Sequence, residues 1–370
     1  MTTTIPEELD KLTRNLGEVV DRFVTVQFCT SGGPSVYSDS PVVEKLYNAA
    51  RSKARAPLTY AAARALAERV PAEGRVIFTT GFIVPPYLRL EGDGPIGTPS
   101  LARAIALGLK ANSVVVTEPA NVPPLKRMMA ASGLQVAPLE QTLEVPHKAS
   151  VLPFPIDEAA AKEAAERTLD EVQPSAVIAV EKPSRNAQGR YHNGMPVDVT
   201  DVAAKVDHLV DAARRRGILT IGFGDGGNEI GMANISDVIK ATVPNGELLC
   251  AATPTDELVV AASAGWGAYG VETCLAALTQ TPHALHDEEI ERRLLDASAE
   301  AGILDPLSGT AEGWLDGVPP QVNYAIVRIL NYLLEVRLRN WMIALYKEWG
   351  GRKEVSEALL RKFGPELNRG

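Results

Sequence analysis

The chain has 370 residues, 45% of them hydrophobic and 22% charged, with a formal net charge of -9. That length and balance suit a soluble globular protein with a large core, and the acidic excess argues against general nucleic-acid binding, which needs a basic face. Cys29, Cys250 and Cys274 are too few and too scattered for a disulfide framework or a thiolate zinc site; no apolar run reaches the roughly 18 residues that span a bilayer, and polar Met1–Asp10 resembles neither a signal nor a transit peptide, so the expected location is cytoplasmic.

From the N-terminus, Leu9, Leu12, Leu16, Val19, Val20 and Phe23 recur near one face and predict a helix over Pro6–Val26, with Glu7 and Glu8 favoured in its first turn. Cys29–Pro34 is turn chemistry, and Pro41–Ala50 and Pro57–Glu68 read as further helices. Residues 1–70 are therefore expected to be a helical segment packed on a core formed by residues 71–370. Arg75–Thr79 is the first strand. Helix Ser100–Leu109, strand Ser113–Thr117, helix Pro123–Ala131 and strand Leu134–Pro138 follow it. Helix Glu158–Val172, strand Ala176–Val180, helix Val199–Arg216 and strand Ile218–Phe223 continue the pattern. This alternation specifies an α/β fold, a mostly parallel sheet with crossover helices. Pro146–Pro155 is the best candidate for an internal boundary. Beyond Met232 come Asp237–Ala241, apolar Leu258–Ala262 and a helix through Leu278, then helices near Asp287–Ala301, Val322–Lys347 and Glu354–Phe363. These extra helices at both ends predict a homo-oligomer.

Three polar loops follow strands, and a parallel sheet would bring all three to the edge where its strands end, the usual place for an active site. The most distinctive is Gly224–Met232, with glycines at 224, 226, 227 and 231. It is not the dinucleotide fingerprint, because that spacing needs glycine where Glu229 stands. Asp225, Asn228 and Glu229 suit a hard divalent cation, Mn²⁺ or Mg²⁺, while Gly226 and Gly227 allow close backbone approach to a bound group. A solvated turn capping the next helix is the alternative. Glu91–Thr98 places Glu91 and Asp93 on either side of a glycine, as a cation loop or an acidic surface turn. The third loop is Glu181–Met195. Glu181 ends a buried strand and needs compensation by a metal, Lys182 or Arg185. Arg185 and Arg190 can clamp a carboxylate or phosphate, and His192 can act as acid or base near neutral pH. A plain polar surface loop is again the alternative. Glu91, Asp93, Glu181, Asp225 and Glu229 cannot all be ionised in one pocket without a cation or raised pKa values, so a site of one or two metals is the expectation; without clustered Cys or His it is not a zinc site.

Thr80-Gly81-Phe82, Glu91 to Gly97, Glu181 to Asn186 with Gly189 to Asn193, Gly224 to Met232 and Trp266 to Tyr269 together resemble the C-terminal domain of D-glutamate cyclase and its stand-alone relatives, over about residues 75–280. The resemblance implies dehydrative closure of D-glutamate to 5-oxo-D-proline. The alternative it carries is a manganese-dependent phosphatase, as proposed for an archaeal relative. On either chemistry the expected ligands are Asp93, Glu181, Asp225 and Glu229, joined by Glu91 and Asn228. Arg185, Asn186 and His192 would hold or protonate a small anionic substrate, with Lys182 a further candidate and Arg190, Asn193, Gly226 and Gly227 beside it. A metabolite or metal sensor that keeps the pocket without turnover is a third reading.

Overall fold

The computed structural model of the chain describes residues 5–27 and 42–338. The expectations for Cys29–Pro34, the end of Val322–Lys347 and all of Glu354–Phe363 lie outside the described residues. In chain order the helices are α1 (Glu7–Val24), α2 (Val42–Ala54), α3 (Leu58–Arg69), α4 (Asp93–Gly108), α5 (Val122–Ala131), α6 (Leu139–Glu144), α7 (Glu158–Val172), α8 (Asp207–Arg215), α9 (Ser236–Thr242), α10 (Gly246–Leu249), α11 (Ala264–Leu278), α12 (Glu288–Glu300) and α13 (Pro320–Leu338). The strands are β1 (Arg75–Thr80), β2 (Ile83–Val84), β3 (Arg89–Leu90), β4 (Asn112–Thr117), β5 (Gln135–Val136), β6 (Lys148–Pro153), β7 (Ala176–Val180), β8 (Leu219–Gly224) and β9 (Glu257–Val260).

Seven strands form one sheet in the order β5-β6-β4-β1-β7-β8-β9, with every pairing parallel. The α/β fold with crossover helices and extra terminal helices is the one the alternation predicts. Successive side chains of a strand point to opposite faces, and here both faces are covered. Val76, Phe78, Ile178, Val180, Ile221 and Phe223 join a core with residues of α1–α4 and α11–α13. Ile77, Val114, Val116, Val177 and Ala179 face a second core under α7 and α8. Among the described residues no helix is long and apolar enough to cross a membrane.

The sheet order fixes where a ligand can bind. The chain leaves β1 for β4 on one side and later returns as β7 on the other. At such a switch point the flanking loops diverge and leave a crevice beyond the carboxyl ends of the strands, here β1 and β7.

Three expectations need correction. Pro146–Pro155 is not a boundary: β6 lies inside it, paired between β4 and β5. Ala149, Ser150 and Val151 are buried in succession while Leu152 is only partly so, and so short a strand between prolines has the look of a linker in sequence. The helix drawn from Val199 begins at Asp207: a single turn closes at Ala203, and then Ala204 N–H donates to Glu118 Oε1 (2.8 Å) and Lys205 N–H to Pro155 O (3.1 Å), which takes these two amides out of helical bonding. Conversely, residues 93–99 are not loop but the opening turns of α4. Pro95 costs little there, since N–H groups of a first turn have no intrahelical partner.

Candidate metal centre

Each of the three loops delivers a carboxylate to the crevice for a local reason. Gly224–Met232 closes on Glu229, whose Oε1 accepts from the N–H groups of Asp225 (3.2 Å) and Gly226 (2.7 Å) and whose Oε2 accepts from Gly227 (2.6 Å). Three amides aimed at one carboxylate form a nest that favours its anion, and Gly227, at φ 107°, supplies a conformation few other residues tolerate. Pro183 bridges antiparallel to Glu229, and Ile230 N–H donates to Lys182 O at 2.9 Å. That zipper fixes the β8 loop against the β7 loop.

Glu181 follows β7 directly, with left-handed backbone (φ 45°) anchored by donation from Gly81 N–H to its carbonyl at 2.8 Å. A non-glycine residue in that region costs of order 1–3 kcal/mol and persists only where its surroundings impose it. Asp93 starts α4 and ties it to α11: its Oδ1 accepts from Gly94 N–H (2.7 Å), and its Oδ2 from Ala264 N–H (3.0 Å) and Ser263 Oγ (3.3 Å). Gly94 makes this approach possible. A Cβ there would lie 2.5 Å from Thr80 Oγ1, 2.7 Å from Val180 O and 2.8 Å from Glu181 Cβ. Gly94→Ala should therefore push α4 away from β7, costing about 1–3 kcal/mol and weakening divalent-cation binding. A urea midpoint and a metal titration check this; wild-type values for both would contradict it.

A sixth carboxylate, Asp316, comes from the segment between α12 and α13, where the sequence offers no strand to mark it. Leu304 N–H donates to Leu90 O (2.8 Å) and Leu304 pairs with Glu91, docking this segment beside β3. Buried Asp305 then closes the loop, accepting from Ser308 N–H (2.8 Å) and Gly317 N–H (2.7 Å). Asp305-Pro306 and Asp316-Gly317 are turn signals visible in the sequence, but nothing local says that this turn reaches the sheet edge.

The carboxylates form three overlapping groups: Glu91, Asp93 and Glu181; Asp93, Asp225 and Asp316; Glu181, Asp225 and Glu229. Within each group, one oxygen per residue lies within 4.8 Å of the others. Burial, followed by mutual repulsion, holds Glu91, Glu181, Asp225 and Asp316 well above the ordinary carboxylate range. Burial also pushes Asp93 up to about 7, against the hydrogen bonds that favour its anion. Glu229 is raised too, by burial, despite its amide nest. Glu181 Oε2 and Asp316 Oδ2 are buried without a hydrogen-bond partner. Unpartnered anionic oxygens converging from several elements fit a hard divalent cation such as Mn²⁺ or Mg²⁺, which takes oxygen ligands and restores the charge balance.

Glu91, Glu181, Asp225, Glu229 and Asp316 line a cavity of about 290 Å³, with Asn193, Gly226 and Asn228 also in its wall. Asp93 lies behind the wall. The expected basic residues are elsewhere. Lys182 Nζ is buried against Glu118 (2.6 and 2.7 Å) and donates to Gly81 O, and it is not among the described residues that line the cavity. Arg185 pairs with Asp211 at 2.5 Å, and Arg190 with Asp198. Asn186 is spent on its own loop, its Oδ1 accepting from Gln188 and Arg190 N–H, while its Nδ2 donates to Leu248 O. His192 does not line the cavity; its ring is buried, Nδ1 has no partner, and its carbonyl accepts from Asn228 Nδ2. The Gly226 and Gly227 amides donate to Glu229. None of the described lining residues is Lys, Arg or His.

Comparison with known proteins adds two findings. A family model described as D-glutamate cyclase-like, C-terminal, matches residues 41–331. The chain is 28% identical over 117 residues to the D-glutamate cyclase, mitochondrial, of Homo sapiens, a stretch amounting to 31% of this chain and 19% of that protein. The match therefore spans about a fifth of the relative's length.

Proposed function

Since the chain belongs to the D-glutamate cyclase-like C-terminal family, we propose that it is a divalent-metal-dependent enzyme that closes a lactam, converting D-glutamate to 5-oxo-D-proline and water. The observation that carries this reading is the set of carboxylates around one cavity, two of them with unpartnered buried oxygens and no basic residue among the described lining.

Glu181, Asp225 and Glu229 would hold one Mn²⁺ or Mg²⁺, and Asp93 and Asp316 would share Asp225 in holding a second. Bound there, the cation would act as a Lewis acid on the substrate's γ-carboxyl group and offset the negative charge around it. The protein's own part is placement and proton transfer. The acidic wall favours the α-ammonium over competing anions, and Glu91, beside the ligands, takes its proton so that the nitrogen can attack. Enclosure in a cavity at the switch point holds amine and γ-carbon together, which converts flexible-chain closure into a positioned one.

The test is incubation of the full chain and Mn²⁺ or Mg²⁺ with D-glutamate, followed by chromatography for 5-oxoproline, with a phosphomonoester assayed in parallel. Metal-dependent lactam formation is expected. Phosphate release without lactam would replace this reading with the phosphatase, and tight metal binding without either product would favour a sensor.

A further inference from the structure

The cavity has two unlike parts. Its inner wall carries five carboxylates. Its apolar lining comes from buried Ile83 and Val84 of β2 and, at the exposed rim that forms its mouth, from Met195 and Val197 after Asn193 and from Leu307 beside Pro306. Met195, Val197 and Leu307 are 71%, 43% and 45% exposed. Single exposed apolar residues are ordinary, but here side chains from three separate segments surround one well. Two of those segments touch: a Cβ on Gly309 would lie 3.0 Å from the hydroxyl of Tyr87, at the tip of the β2–β3 hairpin.

This division bears on what the substrate carries. Free D-glutamate brings two carboxylates. With no Lys, Arg or His among the described lining residues, a carboxylate at the reacting end would have only a bound cation to pair with, and whatever wall charge that cation left uncompensated would oppose it. A neutral γ-carbonyl avoids that repulsion, and a group attached to it would extend from the inner wall toward the mouth.

We propose that the preferred substrate is a D-glutamate unit whose γ-carbonyl is uncharged and carries an apolar substituent, a γ-amide or γ-ester, which rests on the apolar mouth of the cavity. The inference rests on the lactam-forming reading above. The α-ammonium gives one proton to a wall carboxylate, and the nitrogen attacks the γ-carbonyl carbon. As the new C–N bond closes the lactam, the bond from that carbon to the substituent's nitrogen or oxygen breaks. The leaving nitrogen or oxygen takes up the second proton, which the attacking nitrogen loses on becoming the lactam amide, and the wall carboxylate passes the first to the freed amine or, for an ester, to solvent. The products are 5-oxo-D-proline and the free amine or alcohol, with no co-reactant.

The experiment compares D-glutamate γ-benzylamide, D-glutamate γ-methylamide and free D-glutamate on the Mn²⁺-loaded full chain, following 5-oxoproline. The two amides have similar leaving groups, so their difference reports the substituent. Binding is measured separately, by calorimetry, with glutaric acid monobenzylamide and monomethylamide, which lack the amine and cannot close. The benzyl compounds should show at least tenfold higher kcat/KM, carried by KM, and at least tenfold tighter binding, the gain from burying roughly 60 Å² of apolar surface. Both amides should exceed free D-glutamate. Leu307→Asp should bring the two amides within about threefold of each other, as expected if the mouth loses its apolar contact. Free D-glutamate closing as efficiently as the amides, or benzyl and methyl compounds behaving alike, would overturn the inference while leaving lactam formation standing. No lactam from any of the three would overturn the reading beneath it as well.

Discussion

Replacing Asp225 with asparagine should lower lactam formation by about 10³-fold, the several kcal/mol that a Lewis-acid centre supplies, and should at the same time raise the thermal stability of the metal-free protein. The two effects have one cause. Asp225 belongs to two of the three carboxylate groups, so its loss removes a ligand from each. In the metal-free protein the same carboxylate is buried and faces Asp316, Glu229, Asp93 and Glu91, so neutralising it relieves repulsion. The pH dependence has the same origin. A carboxyl whose folded pKa lies above its unfolded value stabilises fully below the unfolded value, near 4, and loses that contribution as pH rises through the folded one. For Asp93 that is about 7. The melting temperature of the metal-free protein should therefore fall as pH rises from about 4 to 8. Mn²⁺ should flatten the fall, and Asp225→Asn should make it shallower. Differential scanning calorimetry with and without chelator measures all three; a metal-free melting temperature that climbs with pH across that window would contradict the picture.

His286→Ala should destabilise the fold by about 3–5 kcal/mol, the cost of removing one partner from a buried ion pair. His286 Nδ1 lies 2.8 Å from Glu272 Oε2, and Nε2 makes a longer ion-pair contact of 3.3 Å with Glu291 Oε2. Tyr269 donates its hydroxyl to Glu291 (2.9 and 3.1 Å), and the cluster is fully buried. Burial alone would lower the imidazole's pKa, but the two carboxylates, Glu272 foremost, together outweigh it and push it up to about 10. Its stabilising contribution is thus whole below the unfolded value near 6.5 and disappears as pH rises through about 10. Wild-type protein should lose urea resistance between pH 7 and 10 more steeply than His286→Ala, and Glu272→Gln added to the alanine variant should recover part of the loss. Near-wild-type stability of His286→Ala would show that the cluster does not hold charge. α11 links this cluster to the carboxylates of the cavity: it carries Tyr269 and Glu272 along its length, and Ser263 and Ala264 at its start donate to Asp93.

Much of the site was legible because strand ends are local signals. Buried runs ending at Thr80, Val180 and Gly224 place their trailing loops at one edge, and Glu91, Asp93, Glu181, Asp225 and Glu229 do converge there. Asp316 was not legible, because no strand precedes it; it arrives through Leu304 pairing with Glu91 and through the turn that Asp305 closes. The basic residues misled for the opposite reason. A loop rich in Lys and Arg looks made for an anion, yet the partners of Lys182, Arg185 and Arg190 are Glu118, Asp211 and Asp198, and the separation between Lys182 and Glu118 hides that pairing from any local pattern. Gly226 and Gly227 show the same limit of local reading. Their amides are free in the sequence but bound to Glu229 in the fold. β6 escaped because prolines at both ends of a short strand mimic a linker.

Calorimetric titration of the chelator-treated protein with Mn²⁺ tests most directly whether the converging carboxylates bind a divalent cation. The expected result is saturable binding of one or two ions per chain, lost in Asp225→Asn and weakened in Gly94→Ala, with protons released as the raised carboxyls ionise. Absence of saturable binding, or binding that Asp225→Asn leaves unchanged, would mean that the cluster is a set of neutral, protonated acids and that the site is not a metal centre.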